Sequence, residues 1–171
     1  MNLIATFQDL VSRVPELVQP LIVALAGAVP FIEGEGAAAI GVIGGINPVI
    51  AAFAAAIGNF ACVAILVVLG AGTRRAIIER RAAAVTVGGG SAPVPESVSP
   101  RKEKFQRALV RYGVPGVSLL GPLLLPTQFT ATMLAAAGVT RGRILFWQGL
   151  AIVLWTTAVT LVITGVISVA Q

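Results

Sequence analysis

The chain of 171 residues is 57% hydrophobic and 11% charged, less than half of the charged share of an average soluble domain, which is about 25%. Its mean hydropathy of +0.94 therefore predicts an integral membrane protein. The net charge of +5 does not indicate nucleic-acid binding, because nine of the twelve Lys and Arg residues fall between Arg74 and Arg111, without interleaved aromatic residues on which bases could stack.

The composition lacks most of the residues that catalysis and metal binding commonly use. The chain has one cysteine and no histidine, which excludes histidine acid–base catalysis, most metal sites and an internal disulfide. No nucleotide-binding signature of the form GxxxxGK[ST] occurs. We therefore predict a protein that is not an enzyme and that uses no metal or cofactor.

Residues 1–16 predict an amphipathic helix that lies on the membrane surface. Their apolar positions recur at three- and four-residue spacing, which places them on one helix face ahead of Pro15. A frayed tail is the alternative. The apolar positions are Leu3, Ile4, Phe7, Leu10, Val11 and Val14.

Residues 17–71 predict a first membrane repeat, made of a broken segment and a clean spanning helix. The broken segment, residues 17–46, is apolar but is interrupted by Pro20, Pro30 and two glutamates. Residues 48–70 follow as a clean helix, since about 20 apolar residues suffice to cross the hydrocarbon core of a bilayer.

Residues 72–108 predict a cytoplasmic loop. Gly, Ser, Pro and charged residues dominate this stretch, which includes TVGGGSAPVPESVSPRKEK. Basic residues beside a membrane segment mark its cytoplasmic side and attract anionic lipid headgroups. We expect a flexible linker with short helical ends.

Residues 109–171 predict a second membrane repeat with the same order of features. Pro115, Pro122 and Pro126 interrupt the apolar residues 112–139, and residues 144–170 form a second clean spanning helix. Each half of the chain therefore consists of a Pro-broken segment followed by a spanning helix.

The positive charges predict that the two repeats are inverted. Four arginines follow the first spanning helix, and Arg111, Arg141 and Arg143 flank the second broken segment, so all of these ends are expected in the cytoplasm. Each broken segment would then be a re-entrant hairpin, with both hairpin tips near the bilayer midplane. The predicted fold is an all-α, multi-pass protein of the bacterial inner membrane with two inverted repeats. The alternative is that both broken segments are kinked spanning helices.

Glu33 and Glu35 are the main candidates for a functional site. An acidic side chain at membrane depth is unfavourable unless it is paired, protonated or hydrated. On one helix the two would point about 200° apart, whereas in a turn with Gly34 and Gly36 both could serve one cavity. Because desolvation and mutual repulsion favour a neutral acid, such a group could exchange a proton during transport. The alternative is that both lie hydrated in the headgroup region.

Further polar residues are expected to face or surround the glutamates. Pro126, Thr127 and Gln128 form a polar cluster that either faces the glutamate pair or satisfies backbone groups in its own hairpin. Asn59 lies in the first spanning helix, where an amide usually bonds to another segment. Arg141 and Arg143 either bind lipid phosphate or only set the topology.

The segment AVPFIEGEGAAAIGVIGGINPVIAAFAAAIGNF resembles the small multidrug export protein family. That family typically has a proline, two apolar residues and a glutamate, then small residues, a Gly/Pro turn and a Gly-Asn pair. Here these correspond to Pro30, Glu33, residues 37–45, Asn47–Pro48 and Gly58–Asn59.

The resemblance covers about residues 21–166 and extends more distantly to the DedA/VTT (SNARE-associated) superfamily. Members of that superfamily have two opposed re-entrant hairpins and include lipid translocases. One departure is important, since relatives often have Glu-x-Arg where this chain has Glu33-Gly34-Glu35. A di-acid requires a proton, a cation or another partner, so the site is not expected to work like that of relatives.

These observations predict a proton-coupled exporter of small amphiphilic or cationic compounds, with its site at the hairpin tips. One alternative is a lipid or lipid-phosphate translocase of the DedA/VTT type, which the basic residues favour. Another is a non-catalytic subunit of a larger membrane complex, which the small size of the chain suggests. The expected partners are membrane lipids, the transported compound, and further copies of the chain or other subunits, but not nucleic acid.

Overall fold

A computed structural model describes residues 3–87 and 100–170, and only the backbone of residues 71–87 and 100–102. Helices form most of these residues and no strand occurs among them, so the all-α prediction is confirmed. A short 3-10 turn, Gly121–Leu123, lies between the fifth and sixth helices. The helices are α1 (Leu3–Arg13), α2 (Gln19–Gly27), α3 (Glu33–Ile43), α4 (Pro48–Val87), α5 (Pro100–Leu120), α6 (Thr127–Ala136) and α7 (Arg141–Ala170).

Helix α1 packs against the first half of the protein by one edge. Val11 is 1% exposed and contacts the backbone at Gly44, just beyond the end of α3. Asp9 and Arg13 form an exposed ion pair one turn apart, with 2.8 Å between their atoms. Leu3, Ile4 and Leu10 remain exposed, so the helix keeps apolar surface on its outside.

Helices α2 and α3 pack against each other and are both short. They have nine and eleven residues, which corresponds to about 14 and 17 Å at 1.5 Å per residue. The hydrocarbon core of a bilayer is about 30 Å thick, so neither helix could cross it alone. Pro30 lies in the connecting turn, and the residue before a proline disfavours helical geometry, which accounts for the break.

The second broken segment is divided at three places. Helix α5 is kinked at Gly113, whose φ of 66° is left-handed, and Pro115 follows within the next turn. The 3-10 turn contains Pro122, and Pro126 directly precedes α6. The ten residues of α6 correspond to about 15 Å, again half of a membrane crossing.

Two helices in the described part of the chain are long and apolar enough to cross a membrane. They are Pro48–Gly70, the first part of α4, and Arg141–Ala170, the whole of α7. Only 28% and 22% of their most apolar stretches are buried. The core helix of a soluble protein would be mostly buried, whereas these helices present apolar surface to the outside.

The predicted basic loop, residues 72–108, lies largely outside the described residues. The backbone of α4 remains helical past Gly70 as far as Val87, which is longer than the short helical end expected there. Residues 88–99 and the side chains of residues 71–87 and 100–102 are not described. The prediction of a basic, cytoplasmic surface therefore concerns residues that are mostly outside the described part.

The apolar core is divided into two clusters that share α4. Ala51 and Ala55 belong to the cluster around α1, α2 and α3, and Val63 and Val67 belong to the cluster around α5, α6 and α7. These four residues lie on one face of α4 at four-residue spacing. Asn59 is the central member of the same stripe, so a polar layer lies between the two clusters.

Candidate functional site

A hydrogen-bonded contact joins the first turns of α3 and α6. Glu33, the first residue of α3, is 6% exposed, and its Oε1 accepts two hydrogen bonds from Thr127, the first residue of α6. The backbone N–H of Thr127 donates one, and the Thr127 hydroxyl donates the other over 2.8 Å. One carboxyl group therefore connects two helices that are 94 residues apart in sequence.

The N-terminus of α6 is a favourable place for a carboxylate. The first turn of a helix has N–H groups without intrahelical partners, and the helix dipole adds partial positive charge there. Pro126 is the N-cap residue, and its side chain cannot accept a hydrogen bond. Glu33 therefore supplies, from α3, an acceptor for the backbone N–H of the first residue of α6.

Asn59 extends the contact to α4. Its side chain is fully buried, and its Oδ1 lies 3.0 Å from Thr127 Oγ1 and 3.1 Å from Gln128 Nε2. The Thr127 hydroxyl is thus within hydrogen-bond distance of both Glu33 and Asn59. One hydrogen-bond network therefore joins three helices. Its members, all singled out from the sequence, are Glu33, Asn59, Thr127 and Gln128.

Thr156 of α7 lies in the same polar layer as Asn59. A Cβ added at Gly34 would overlap Thr156 Oγ1, so a glycine at this position allows α3 to approach α7 closely. Thr156 is buried and lies near the middle of α7, as Asn59 lies at the middle of Pro48–Gly70. The first turn of α3 therefore lies between the midpoints of the two long apolar helices.

Two polar atoms of this layer have no hydrogen-bond partner in the described part of the structure. They are Asn59 Nδ2 and Thr156 Oγ1, and a third unpaired atom, Gln148 Oε1, lies two turns before Thr156 on α7. Leaving a buried polar group unpaired costs about 1–3 kcal/mol. These atoms indicate a place where another polar group could bind.

Glu35 does not join the network. Two residues after Glu33, the rotation of about 100° per residue turns it toward a different side of α3. It is half-buried there and shares this side with the half-buried Ala39 and Val42. Both glutamates therefore lie in the first turn of α3, with Glu33 buried against Thr127 and Glu35 half-buried.

Arg141 and Arg143 lie far from the network along α7. Both are exposed at the beginning of that helix. The 13 residues from Arg143 to Thr156 correspond to about 20 Å of helix. These arginines therefore do not pair with Glu33.

The turn that presents Glu33 has an uncommon backbone. Phe31 and Glu33 have φ angles of 71° and 54°, in the left-handed region that costs a non-glycine residue about 1–2 kcal/mol. Phe31 is 80% exposed, and its ring centroid lies 6.0 Å from that of Phe129 in α6. The Glu33–Thr127 and Phe31–Phe129 contacts both hold this strained turn against α6.

An apolar groove of about 520 Å³ runs between α4 and α7. Its polar lining residues are Thr156 and Thr157, and Thr156 also borders the first turn of α3 at Gly34. The groove therefore extends from the outer apolar surface of the two long helices to the polar layer. Its larger apolar lining residues are Phe53, Ile57, Phe60, Ile152 and Val153.

Sequence reasoning did not single out Thr156. The sequence does contain a signal, because polar residues recur at four-residue spacing in α7, which is otherwise apolar. In the structure these residues lie on its buried face. A threonine in an apolar helix often bonds to its own backbone, so composition alone gives Thr156 no special weight. The buried stripe is Ile144, Gln148, Ile152, Thr156 and Thr160.

Comparisons of the chain with protein-family models, curated proteins and solved structures find no match. The resemblance to the small multidrug export protein family therefore stays a prediction.

Proposed function

We propose that the protein is a membrane transporter that couples proton movement to the export of small amphiphilic compounds. Glu33 is the proton-carrying group in this proposal. Its buried carboxyl group bonds to Thr127 at the contact between two half-length helices, and this single observation carries the proposal. Protonation would weaken that contact, because a neutral acid is a poorer acceptor for a helix N-terminus than a carboxylate.

The proposed architecture is a pair of inverted repeats in the bacterial inner membrane, with residues 72–108 in the cytoplasm. The short lengths of α2, α3 and α6 support re-entrant hairpins, since none of these helices could cross a bilayer alone. Asn59 and Thr156 lie midway along the two candidate spanning helices, which supports a site near the bilayer midplane. Broken helices meeting at that depth are a common plan of secondary transporters.

Proton movement in proteoliposomes tests the proposal. Vesicles containing purified protein and a trapped pH-sensitive dye would be given ethidium, a cationic amphiphile, or cholate, an anionic one. We expect one of these compounds to cause proton movement above the level of protein-free vesicles. Glu33→Gln should abolish this movement, because glutamine keeps the shape of the side chain but cannot release a proton.

Glu35→Gln is the matched control. It makes the same chemical change two residues away, on a side of α3 that does not contact Thr127, so most of the proton movement should remain. If Glu33→Gln inserts normally and moves protons like the wild type, the proposed role of Glu33 is wrong. Equal loss in both variants would assign the effect to the charge of the segment rather than to the Glu33–Thr127 contact.

Lipid translocation is the second candidate function. The groove between α4 and α7 favours it, because its apolar lining is continuous with the exposed surface of two helices that could face lipid. The same vesicles, labelled with a fluorescent phospholipid in both leaflets, would distinguish the two functions. Bleaching of the inner-leaflet label by an impermeant reductant, in the absence of Glu33-dependent proton movement, would favour the translocase.

A further inference from the structure

The first turn of α6 combines a helix N-terminus with a buried amide that has an unused donor. Asn59 Oδ1 contacts the first two residues of α6, while Nδ2 of the same amide has no partner among the described residues. The backbone N–H and the hydroxyl of Thr127 provide two more donors at this point. Donors and the positive end of a helix dipole favour a group that accepts hydrogen bonds and carries negative charge.

The carboxyl group of Glu33 shows which kind of acceptor fits this place. It occupies the N-terminus of α6 from a separate helix, and the turn that delivers it has two left-handed non-glycine residues. A free carboxylate could accept the same two hydrogen bonds from Thr127 without that backbone strain. It could also approach Asn59 Nδ2, a donor without a partner in the part of the chain that the structure describes.

The groove between α4 and α7 supplies the apolar part of the binding site. Its lining includes Thr156, which borders Gly34 in the first turn of α3. A molecule with an acidic head at α6 and an apolar chain in the groove would place each part in matching surroundings. A cationic head would instead meet the positive end of the helix dipole, and it could not accept a hydrogen bond from Asn59.

We infer that the site binds apolar carboxylic acids, whose carboxylate replaces the Glu33 side chain at the N-terminus of α6 while the chain lies in the groove between α4 and α7. This inference rests on the proposed transport function, to which it adds the class of substrate. It departs from the cationic cargo that two acidic residues suggest in the sequence. Glu33 acts as a built-in competitor that must be neutralised or moved before the substrate binds.

The charged groups around Glu33 define the pH dependence of this competition. On its own helix Glu35 is the other acid, and on α4 the thiol of Cys62 lies near enough to interact with Glu33. Helices α2 and α6 contain no ionisable residue, and α7 has none after Arg143. Proton uptake by Glu33 is therefore the event expected to free the binding place, so carboxylate binding should strengthen as pH falls until the ligand itself is protonated.

Quenching of Trp155 by a brominated ligand tests the inference. Trp155 adjoins Thr156 on α7, and its Nε1 donates to the Leu119 carbonyl over 2.8 Å. In a Trp147→Phe background it is the sole tryptophan, since the chain has two. We expect saturable quenching by 10-bromodecanoate in nanodiscs, and weak, non-saturating quenching by 10-bromodecyl-trimethylammonium, which has the same chain and the opposite charge.

Glu33→Gln should strengthen 10-bromodecanoate binding at least about tenfold, because it removes the competing carboxylate. Glu35→Gln is the control and should change the affinity far less, because Thr127 donates to Glu33 and not to Glu35 among the described residues. Asn59→Asp should abolish saturable quenching, because it replaces the unused donor with a second negative charge. Weaker binding in Glu33→Gln, equal quenching by the ammonium compound, or tighter binding of a bromodecyl phosphate would each overturn the assignment of a carboxylate.

The binding experiment and the transport experiment can fail separately. Selective quenching by 10-bromodecanoate without Glu33-dependent proton movement would support the ligand class and refute the transport proposal. Glu33-dependent proton movement together with preferential quenching by the ammonium compound would support transport and refute the ligand class.

Discussion

Glu33 and Glu35 have the same side chain, but their positions on α3 give them different surroundings. Glu33 is buried against two donors at the start of another helix, whereas Glu35 lies on the half-buried side of α3. A carboxylate at a helix N-terminus is stabilised by the dipole and by hydrogen bonds, which offset part of the cost of burial. The difference between the surroundings of the two acids therefore follows from their positions on α3 rather than from residue type.

Thr127→Val tests the hydroxyl contact at the residue scale. Valine has nearly the shape of threonine and keeps the backbone N–H bond to Glu33, but it removes the hydroxyl donor. A hydrogen bond to a charged group contributes about 1.5–3 kcal/mol, so we expect about a tenfold lower rate of Glu33-dependent proton movement. The measurement is the initial rate in proteoliposomes containing equal amounts of protein.

Thr127→Ser provides the control for that variant. Serine keeps the hydroxyl and should restore most of the rate. If valine and serine behave alike, the hydroxyl group does not contribute, and the backbone N–H of residue 127 is the only donor to Glu33 that matters.

The helices around the site approach closely because small residues lie where they meet. A Cβ added at Gly58 of α4 would overlap the carbonyl oxygen of Ala24 in α2, and one added at Gly27 would lie 2.5 Å from the carbonyl oxygen of Ala55. Such backbone contact gains dispersion energy and weak C–H···O bonds. Because Asn59 directly follows Gly58, this packing also fixes the height of Asn59 relative to α2 and α3.

Gly58→Ala tests this packing at the scale of the helices. Overpacking costs about 1–3 kcal/mol, which corresponds to a fall in Tm of about 5 °C for a chain of this length. Gly165→Ala is the control, since no atom of the described residues lies within 4 Å of a Cβ at that position of α7. Alanine favours helix there, so the Tm should stay the same or rise. Thermal unfolding followed by circular dichroism in detergent gives both values, and an equal effect of the two substitutions would contradict close packing of α4 on α2.

Several helix boundaries could be predicted, because proline acts locally. Pro30, Pro48 and Pro126 lie at or near the breaks that the sequence indicates, and the two apolar helices follow from length and hydropathy. For the contact between Glu33 and Thr127, the sequence predicted only that the two segments could face each other, and not which atoms bond. Aligning Pro30 with Pro126 implies an offset of 96 residues between the halves, whereas the first residues of α3 and α6 are 94 residues apart. The two values differ because Pro30 lies three residues before the start of α3, whereas Pro126 lies directly before the start of α6.

At the scale of the whole molecule, the two halves share an order of elements but not a site composition. The first half supplies the acid and the amide, and the second half supplies the helix N-terminus and the hydroxyl groups. The hydrogen bonds to the Glu33 carboxyl group therefore require both halves of the chain. The role of Thr156 could not be predicted, because it depends on how closely α3 approaches α7, and residue spacing within one helix contains no information about that distance.

Cysteine labelling tests the proposed inverted topology. In a Cys62→Ala background, single cysteines would replace Glu16 and Val49 around the first hairpin, and Tyr112 and Thr140 around the second, all of which are exposed. An impermeant maleimide added to intact spheroplasts should label the first pair. The second pair should be labelled only after lysis, because both ends of that hairpin are expected in the cytoplasm. Labelling of one member of each pair from each side would instead indicate kinked spanning helices.

The Thr127 hydroxyl has one hydrogen for two acceptors, Glu33 Oε1 and Asn59 Oδ1. With an ionised Glu33 this hydrogen points to the carboxylate, and the Asn59 oxygen is left to Gln128. Once Glu33 carries its own hydrogen, it can donate to the threonine oxygen, and the hydroxyl hydrogen is released to Asn59. The bond between Glu33 and Thr127 then reverses its direction and the Thr127 hydroxyl donates to the Asn59 oxygen, so protonation of the acid on α3 changes a hydrogen bond to α4.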